Sequence, residues 1–434
     1  MSVPSEALAR ELAARLPPES VCTDRAERQR FALGGVPPQA VVYPSSEEEV
    51  ATAVACCAEL RAALVPWGGG ARQRQVPPPW QYDVALVLSR LNRVLRYEPD
   101  DLTMTVQCGC RMDSLAAVLA ARRQWLPFDV ALPGESTVGG VVASATVGWE
   151  RSGQLSTRDL LLGVTFVAGR GEVVRGGGSV VKNVAGYDMM RLVAGSWGTL
   201  GVVTQVTWKL LPEPPEKAVG WVGCRSLARA IEQALAGDRV RPQPSGLAVV
   251  GFGSGAAVAD PQRAGVVVAY TGSAGEVQEG KSAFEEEVED VHWFPHLGAA
   301  TGLVRRIRDF SLVGPTHPWA AGLRLALLPS DLAACVEELT AFLDEDNTSV
   351  CIWPQRGTVY VRFTEQSERS LMRRAFLWAA EFAQEHRGWA WPDWWPEGWE
   401  FDAVSLPHLY LSRHIKDALD PMGIFSPGRY WRHW

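Results

Sequence analysis

Residues 41–70 read VVYPSSEEEVATAVACCAELRAALVPWGGG, and the order of residue types in this stretch fixes the first folding unit. A short β-branched run meets Pro44, then two serines, then three glutamates that open an apolar-periodic segment. Serine caps free amide groups at a helix start and acidic side chains favour its first turn, so a helix is expected over 46–61. The apolar run 63–66 then reads as a second strand ending on Gly68, Gly69 and Gly70, which makes a βαβ unit with a glycine loop.

Moving outward, DVALVL and LTMTVQC within 82–109 predict two more strands, followed by a helix over 112–123. Residues 160–211 are strand-rich, with a hairpin at Arg170-Gly171. The prolines of EPPEK after Pro212 disfavour helix and central strand alike and mark a boundary. Residues 216–395 alternate strand-like runs (246–252, 265–270, 350–353, 358–363) with helical ones (227–236, 332–343, 367–385). An antiparallel sheet with helices on one face is expected there. A helix near 409–419 and the turn LDPMGIFSPGRYW close the chain.

At 434 residues the chain exceeds one ordinary core and calls for two or three units. Its 47% hydrophobic and 21% charged residues exclude a disordered or fibrous class. A net charge of -7 with no basic block argues against nucleic acid as a partner. The N-terminal stretch lacks the basic start and apolar run of a signal peptide, and no run approaches the ~20 residues that span a bilayer. Neither export nor a transmembrane segment is expected. Eight scattered cysteines without a CxxC pair fit reduced thiols in the cytoplasm. Cys108 and Cys110 read as two buried thiols, with a redox pair as the alternative.

Small residues concentrate in three segments of the first half: 68–70, then LPGESTVGGVVASATVGW at 132–149, then GSWGTLGVVT at 195–204. A dinucleotide's pyrophosphate is held by converging backbone N–H groups where no Cβ blocks approach. The alternatives are an ordinary tight turn for the first segment and close packing for the second. A further glycine run, AVVGFGSGAAVAD at 248–260, imitates a Rossmann turn, but Asp260-Pro261 leaves no room for its helix, so NAD is not expected there.

The segments 67–70, 133–140 and above all SVVKNVAGYDMMRLVAGSWGTLGVVTQVTWKLLP, at 179–212, resemble the FAD-binding domain of the vanillyl-alcohol oxidase and p-cresol methylhydroxylase (PCMH) superfamily. Within it they are similar to the FAD-binding subunits of glycolate oxidases, the GlcE family. The resemblance implies an α+β fold: an N-terminal helical segment (1–37), a two-lobed PCMH-type FAD-binding domain (38–215), a cap-like α+β antiparallel-sheet domain (216–395), and a C-terminal segment (396–434) returning to the first domain. It implies FAD contacts at Trp67, Gly68, Gly69, Gly70, Ala71, Arg72, Pro133, Gly134, Thr137, Val138, Gly139, Gly140, Ala143, Ser144, Gly148, Gly198, Gly201 and Val203. Relatives that tether the flavin place a histidine in the first glycine loop; Ala71 and Arg72 stand here, so a non-covalent flavin is expected. The implied partners are a second flavoprotein subunit and an iron–sulfur subunit, with peripheral placement at the inner membrane face through them. No cysteine spacing in this chain suits a cluster.

Oxidising a small 2-hydroxy acid needs a cation for the carboxylate, a base for the hydroxyl proton, and a flavin beside the α-carbon. With 37 arginines an arginine alone says little, whereas the histidines number seven. His292 and His296 have helical metal-ligand spacing, but Pro295 between them argues against a helix. The HxGDGN-type cluster of stand-alone 2-hydroxy acid dehydrogenases is missing after Pro212, which points to substrate oxidation on the partner flavoprotein. Arg429, in SPGRYW, is the one catalytic candidate, either a flavin or substrate contact or a surface arginine after a turn. Lys182 and Tyr187 read as residues that order their loop. WAWPDWWPEGW at 389–399 reads as an irregular loop, either self-packed or an interface or lid.

Overall fold

A computed structural model describes residues 5–73, 75–146, 148–150, 155–178, 187–251, 264–312, 319–344, 346–394 and 409–429. The first lobe is a four-stranded sheet in the order Val21–Cys22, Ala40–Val42, Val84–Val87, Leu64–Trp67, of which the last three run parallel. Parallel strands need a crossover connection, and helix Glu47–Leu60 supplies the one from Ala40–Val42 to Leu64–Trp67, which flank Val84–Val87. The helix starts where Ser46 Oγ accepts from Glu49 N at 3.2 Å and stops where Arg61 turns left-handed at φ 54°. Leu8, Leu12 and Leu16 from the N-terminal helix pack with Val50 and Val54 into the core beneath this sheet.

The second lobe is a five-stranded antiparallel sheet ordered Val94–Glu98, Thr103–Gln107, Val202–Lys209, Leu161–Val167, Val173–Gly177. The hairpin read at Arg170-Gly171 joins its last two strands, with Gly171 at φ +87°. Val106, Val164 and Val206 share one hydrophobic core with the first lobe. Glu47 ties the lobes electrostatically: one carboxylate oxygen lies 2.5 Å from Arg175 Nη2 and the other accepts from Thr204 Oγ1 at 2.9 Å.

Residues from Glu216 onward build an eight-stranded antiparallel sheet. Four of its strands and three of its helices match the runs read from the sequence. Helices Leu227–Asp238, Ala274–Glu287, Leu332–Leu339 and Arg369–Glu385 cover one face. The one-face expectation needs a correction, because helix Leu297–Asp309 sends Ala300 and Ile307 onto the opposite face, where Trp149 also inserts. That face carries Trp221, Val250, Val267 and Trp353, which must also leave water. The expected irregular tryptophan loop is, over Trp389–Trp394, an edge strand instead; an edge tolerates Pro392 because no ladder bond is lost to it on the open side. Residues 395–399 lie outside the described residues. The glycine run at 248–260 begins in strand Gly246–Gly251, which pairs antiparallel with Ala264–Gly272, whereas a Rossmann unit is parallel.

Between the first two lobes and this sheet lies a charged seam. Glu150, buried, pairs with Lys217; Arg308 lies 2.8 Å from Asp309 and 4.0 Å from Asp129. Asp129 is half-buried, yet its Oδ2 is sealed from water and has no hydrogen-bond partner. Burial, reinforced by the Glu150 charge and opposed by Arg308 and Lys217, pushes its carboxyl up to about 7. The folded state then holds a proton that the unfolded chain releases between about pH 4 and 7, so this site loses stability as pH rises through that window. Asp129→Asn mimics the protonated form. Its melting midpoint should fall less than wild type's between pH 5 and 8; parallel pH profiles would show that Asp129 ionises normally.

Candidate cofactor site

Strand Leu64–Trp67 delivers the chain to the glycine loop at the mouth of a cleft between the lobes. The loop is pinned from several sides. Trp67 Nε1 donates to the Tyr82 hydroxyl at 2.9 Å, and Gln73 Nε2 donates to the Pro66 carbonyl at 2.9 Å. Gly70 sits at φ +85°, where a side chain is strained. A Cβ on Gly69 would lie 1.7 Å from the Glu135 carbonyl oxygen, so Gly69 lets the first small-residue segment stack directly on the second. Its absence of side chain thus serves the contact between two loops before it serves any ligand.

The second segment enters through Thr137, whose hydroxyl caps the short helix Val138–Ser144 by accepting from Gly140 N at 3.4 Å. Val138, Val141 and Val142 go into the core, which turns Gly139, Gly140, Ala143 and Ser144 toward the cleft. The third segment brings Ser196, Trp197, Gly198, Gly201 and Val203 to the same space. Trp67, Gly68, Gly69, Gly70, Ala71, Arg72, Thr137, Gly139, Gly140, Ala143, Ser144, Gly198, Gly201 and Val203, read from sequence, all line it.

Four residues read from sequence do not line it. Val138 is wholly buried in the core, and Gly148 abuts the Asp129 backbone. The Pro133 and Gly134 carbonyls accept from Asp113 N and Arg111 Nη1, which holds that turn against helix Met112–Ala120. Sequence reasoning missed Gln73, Val76, Cys108, Ser136, Ser196 and Trp197, which line the cleft. Adjacency to the glycines would have found most of them. Cys108 and Cys110 are both free and buried, and burial raises both thiols.

Two cations are built into this cleft. Arg72 is 8% exposed; its Nε donates to Thr146 Oγ1 at 2.7 Å and its Nη1 to Ser136 Oγ at 2.8 Å, while Nη2 has no partner. Arg429 is 2% exposed, which removes the surface-arginine alternative, and it donates to the Pro77 carbonyl at 3.1 Å and to the Gln73 carbonyl and side-chain oxygens. Burial lowers both guanidinium groups to about 10, so both stay charged at neutral pH. Neither has a carboxylate within ion-pair distance among the described residues. A buried charge left unpaired is costly, and a doubly anionic pyrophosphate answers both.

No histidine lines the cleft among the described residues. His292 lies exposed in an edge strand, and His296 caps helix Leu297–Asp309 by accepting from Ala299 N at 3.2 Å; no group of residues able to hold a metal ion occurs among those described. Lys182, His317, His408 and His433 lie outside the described residues, and Tyr187 is exposed.

Residues 38–177 match the FAD binding domain family. The chain is 31% identical over 205 residues to glycolate oxidase subunit GlcD of Bacillus subtilis, which covers 46% of this chain and 44% of that one. It is 41% identical over 122 residues to glycolate oxidase subunit GlcE of Escherichia coli (28% and 35%) and 34% identical over 185 residues to D-lactate dehydrogenase of Anaerostipes hadrus (42% and 38%). The matched stretches thus span less than half the length of these curated relatives. In structure it is similar to p-cresol methylhydroxylase with a TM-score of 0.75 at 15% identity, covering 98% of this chain and 96% of that one. For 4-ethylphenol oxidase from Gulosibacter chungangensis the TM-score is 0.77 at 16% identity, covering 100% and 98%.

Two substitutions probe the cleft. Gly69→Ala must displace the Glu135 backbone and should cost about 1–3 kcal/mol of stability, read as a lower melting midpoint; an unshifted midpoint would mean the loops have slack. Arg72→Met should weaken FAD binding about ten- to a hundredfold in a fluorescence titration of apoprotein, and unchanged affinity would remove Arg72 from the site. Residues 38–177 thus match the FAD binding domain family, and the chain shares the fold of p-cresol methylhydroxylase and 4-ethylphenol oxidase.

Proposed function

We propose that this chain is the FAD-holding subunit of a glycolate-oxidase-type complex, which oxidises a small 2-hydroxy acid to the 2-oxo acid and passes the electrons to partner subunits. The observation that carries the reading is the pair of buried cations in a cleft lined by small residues, with no histidine beside them among the described residues. Arg72 and Arg429 supply charge for the pyrophosphate, and the backbone of 68–70, 139–140 and 198–201 approaches the cofactor closely. FAD, when bound, supplies the two-electron acceptor for an alcohol carbon. The chain's own residues bind and orient it and keep water from its anionic part. No side chain of the first glycine loop is a tethering histidine, which favours non-covalent binding.

No histidine base lines the cleft among the described residues, and that favours catalysis shared with a second flavoprotein subunit and an iron–sulfur subunit. The similarity to GlcD and GlcE, each a glycolate oxidase subunit, supports a multi-subunit assembly. A second reading, a free-standing dehydrogenase of a D-2-hydroxy acid such as lactate, is favoured by the 34% identity to D-lactate dehydrogenase.

The test is to purify the chain alone and with its co-produced partners, record flavin absorbance, release the flavin with acid, and assay glycolate and D-lactate with an artificial electron acceptor. The complex reading predicts acid-releasable FAD on the chain alone and turnover of glycolate only with partners. Turnover of D-lactate by the chain alone would establish the second reading, and a colourless chain would overturn both.

A further inference from the structure

The last described residues fold back onto the first lobe and bring Arg429 into the cofactor cleft, and one buried pair organises them. Helix Leu409–Leu419 presents Lys416, which is 5% exposed. Its Nζ donates to the Asp420 carboxylate at 2.6 Å, to the Thr199 carbonyl at 2.6 Å and to the Phe425 carbonyl at 3.0 Å. All three donor positions of the ammonium are therefore used, one on the 198–201 segment and two on the piece that follows the helix. Asp420, 1% exposed, accepts from Ile424 N at 3.0 Å and from Phe425 N at 2.8 Å, which folds the chain back on itself. The folded-back piece then adds to the edge of the parallel sheet: Leu64 N donates to the Ile424 carbonyl at 2.8 Å and Ser426 N to the Leu64 carbonyl at 2.9 Å. Ser426 Oγ reaches the Gly198 carbonyl at 3.4 Å. Three residues later Arg429 enters the cleft.

A buried ion pair is a poor source of stability, because burying both charges costs about as much as their attraction returns. What it supplies is a fixed arrangement. Here the ammonium joins the cleft wall at Thr199, next to Gly198 and Gly201, to the strap that carries Arg429. We propose that Lys416 and Asp420 form a positioning latch for the cofactor: they seat Arg429 in the cleft and set the 198–201 wall against it, so that FAD is retained by the returned C-terminus as well as by the glycine loop. The inference rests on the FAD-holding reading. Neither latch residue lines the cleft, so their effect on the cofactor passes through Arg429 and the wall.

The experiment uses the full chain as wild type, Lys416→Met, Arg429→Met and the double variant, with Asp420→Asn as a milder break of the same latch should Lys416→Met fail to fold. Two quantities are read from each: FAD affinity by fluorescence titration of the apoprotein, and the apoprotein's own melting midpoint. Asp159→Ala, which removes a capping interaction on the helix Thr157–Leu160 away from the latch, controls for a general loss of stability. The latch predicts that Lys416→Met and Arg429→Met each weaken FAD about ten- to a hundredfold, that the double variant loses clearly less than the two single losses combined, and that Asp159→Ala lowers the melting midpoint with FAD affinity kept. Lys416→Met, or Asp420→Asn in its place, with a lowered midpoint but wild-type affinity would overturn the latch while leaving the FAD reading intact. Fully additive losses would overturn the route through Arg429. A wild-type chain that binds no FAD would overturn the FAD reading itself.

Discussion

Arg72 is the constraint on which the rest of the cleft turns. A guanidinium that is almost fully buried, bonded only to two neutral hydroxyls and left with a free Nη2, is stable in a fold only if its surroundings are rigid and an anion completes it. The rigidity comes from loops that touch backbone to backbone. Gly69 lies on the Glu135 carbonyl, Ser136 Oγ hands its own proton to the Ala131 carbonyl while accepting from Arg72, and Thr146 holds the guanidinium from the far side. Small residues are what allow the first and second of these segments, distant in sequence, to close around one charge.

The architecture places those segments where they can meet. The parallel sheet ends its edge strand Leu64–Trp67 at the glycine loop, and the antiparallel lobe brings the 196–203 segment from the opposite side. The eight-stranded sheet closes over both. Gln75 Nε2 donates to the Ser311 carbonyl at 2.7 Å, Leu132 N to Asp309 Oδ1 at 2.8 Å, and Trp391 Nε1 to the Gln75 carbonyl at 3.2 Å. The loop that holds Arg72 is thereby also a contact surface for the second sheet.

Much of this was legible in the sequence because it is local. Ser46 and the three glutamates fix one end of a helix, and alternation in LTMTVQC fixes a strand, without help from the rest of the chain. The elements that escaped are those whose reason is tertiary. Strand Trp319–Ala326 (WAAGLRLA) is poor in β-branched residues and is held by partners on both sides, while helix Ala274–Glu287 carries two glycines and a weak apolar stripe, so packing of Val277 and Phe284 has to add to the Ser273–Glu276 capping box that starts it. The site shows the same division. Glycine segments are visible as composition, but Ser136 and Gln73 look like any polar residue, and Arg429 among 37 arginines is distinguished only by the fold that buries it.

The most direct measurement is a crystal structure of the chain with FAD bound. The account predicts the pyrophosphate in the cleft between the 68–72 and 139–144 segments, with a phosphate oxygen accepting from Arg72 Nη2. A flavin whose phosphates lie elsewhere, with Arg72 Nη2 still unpartnered, would contradict it.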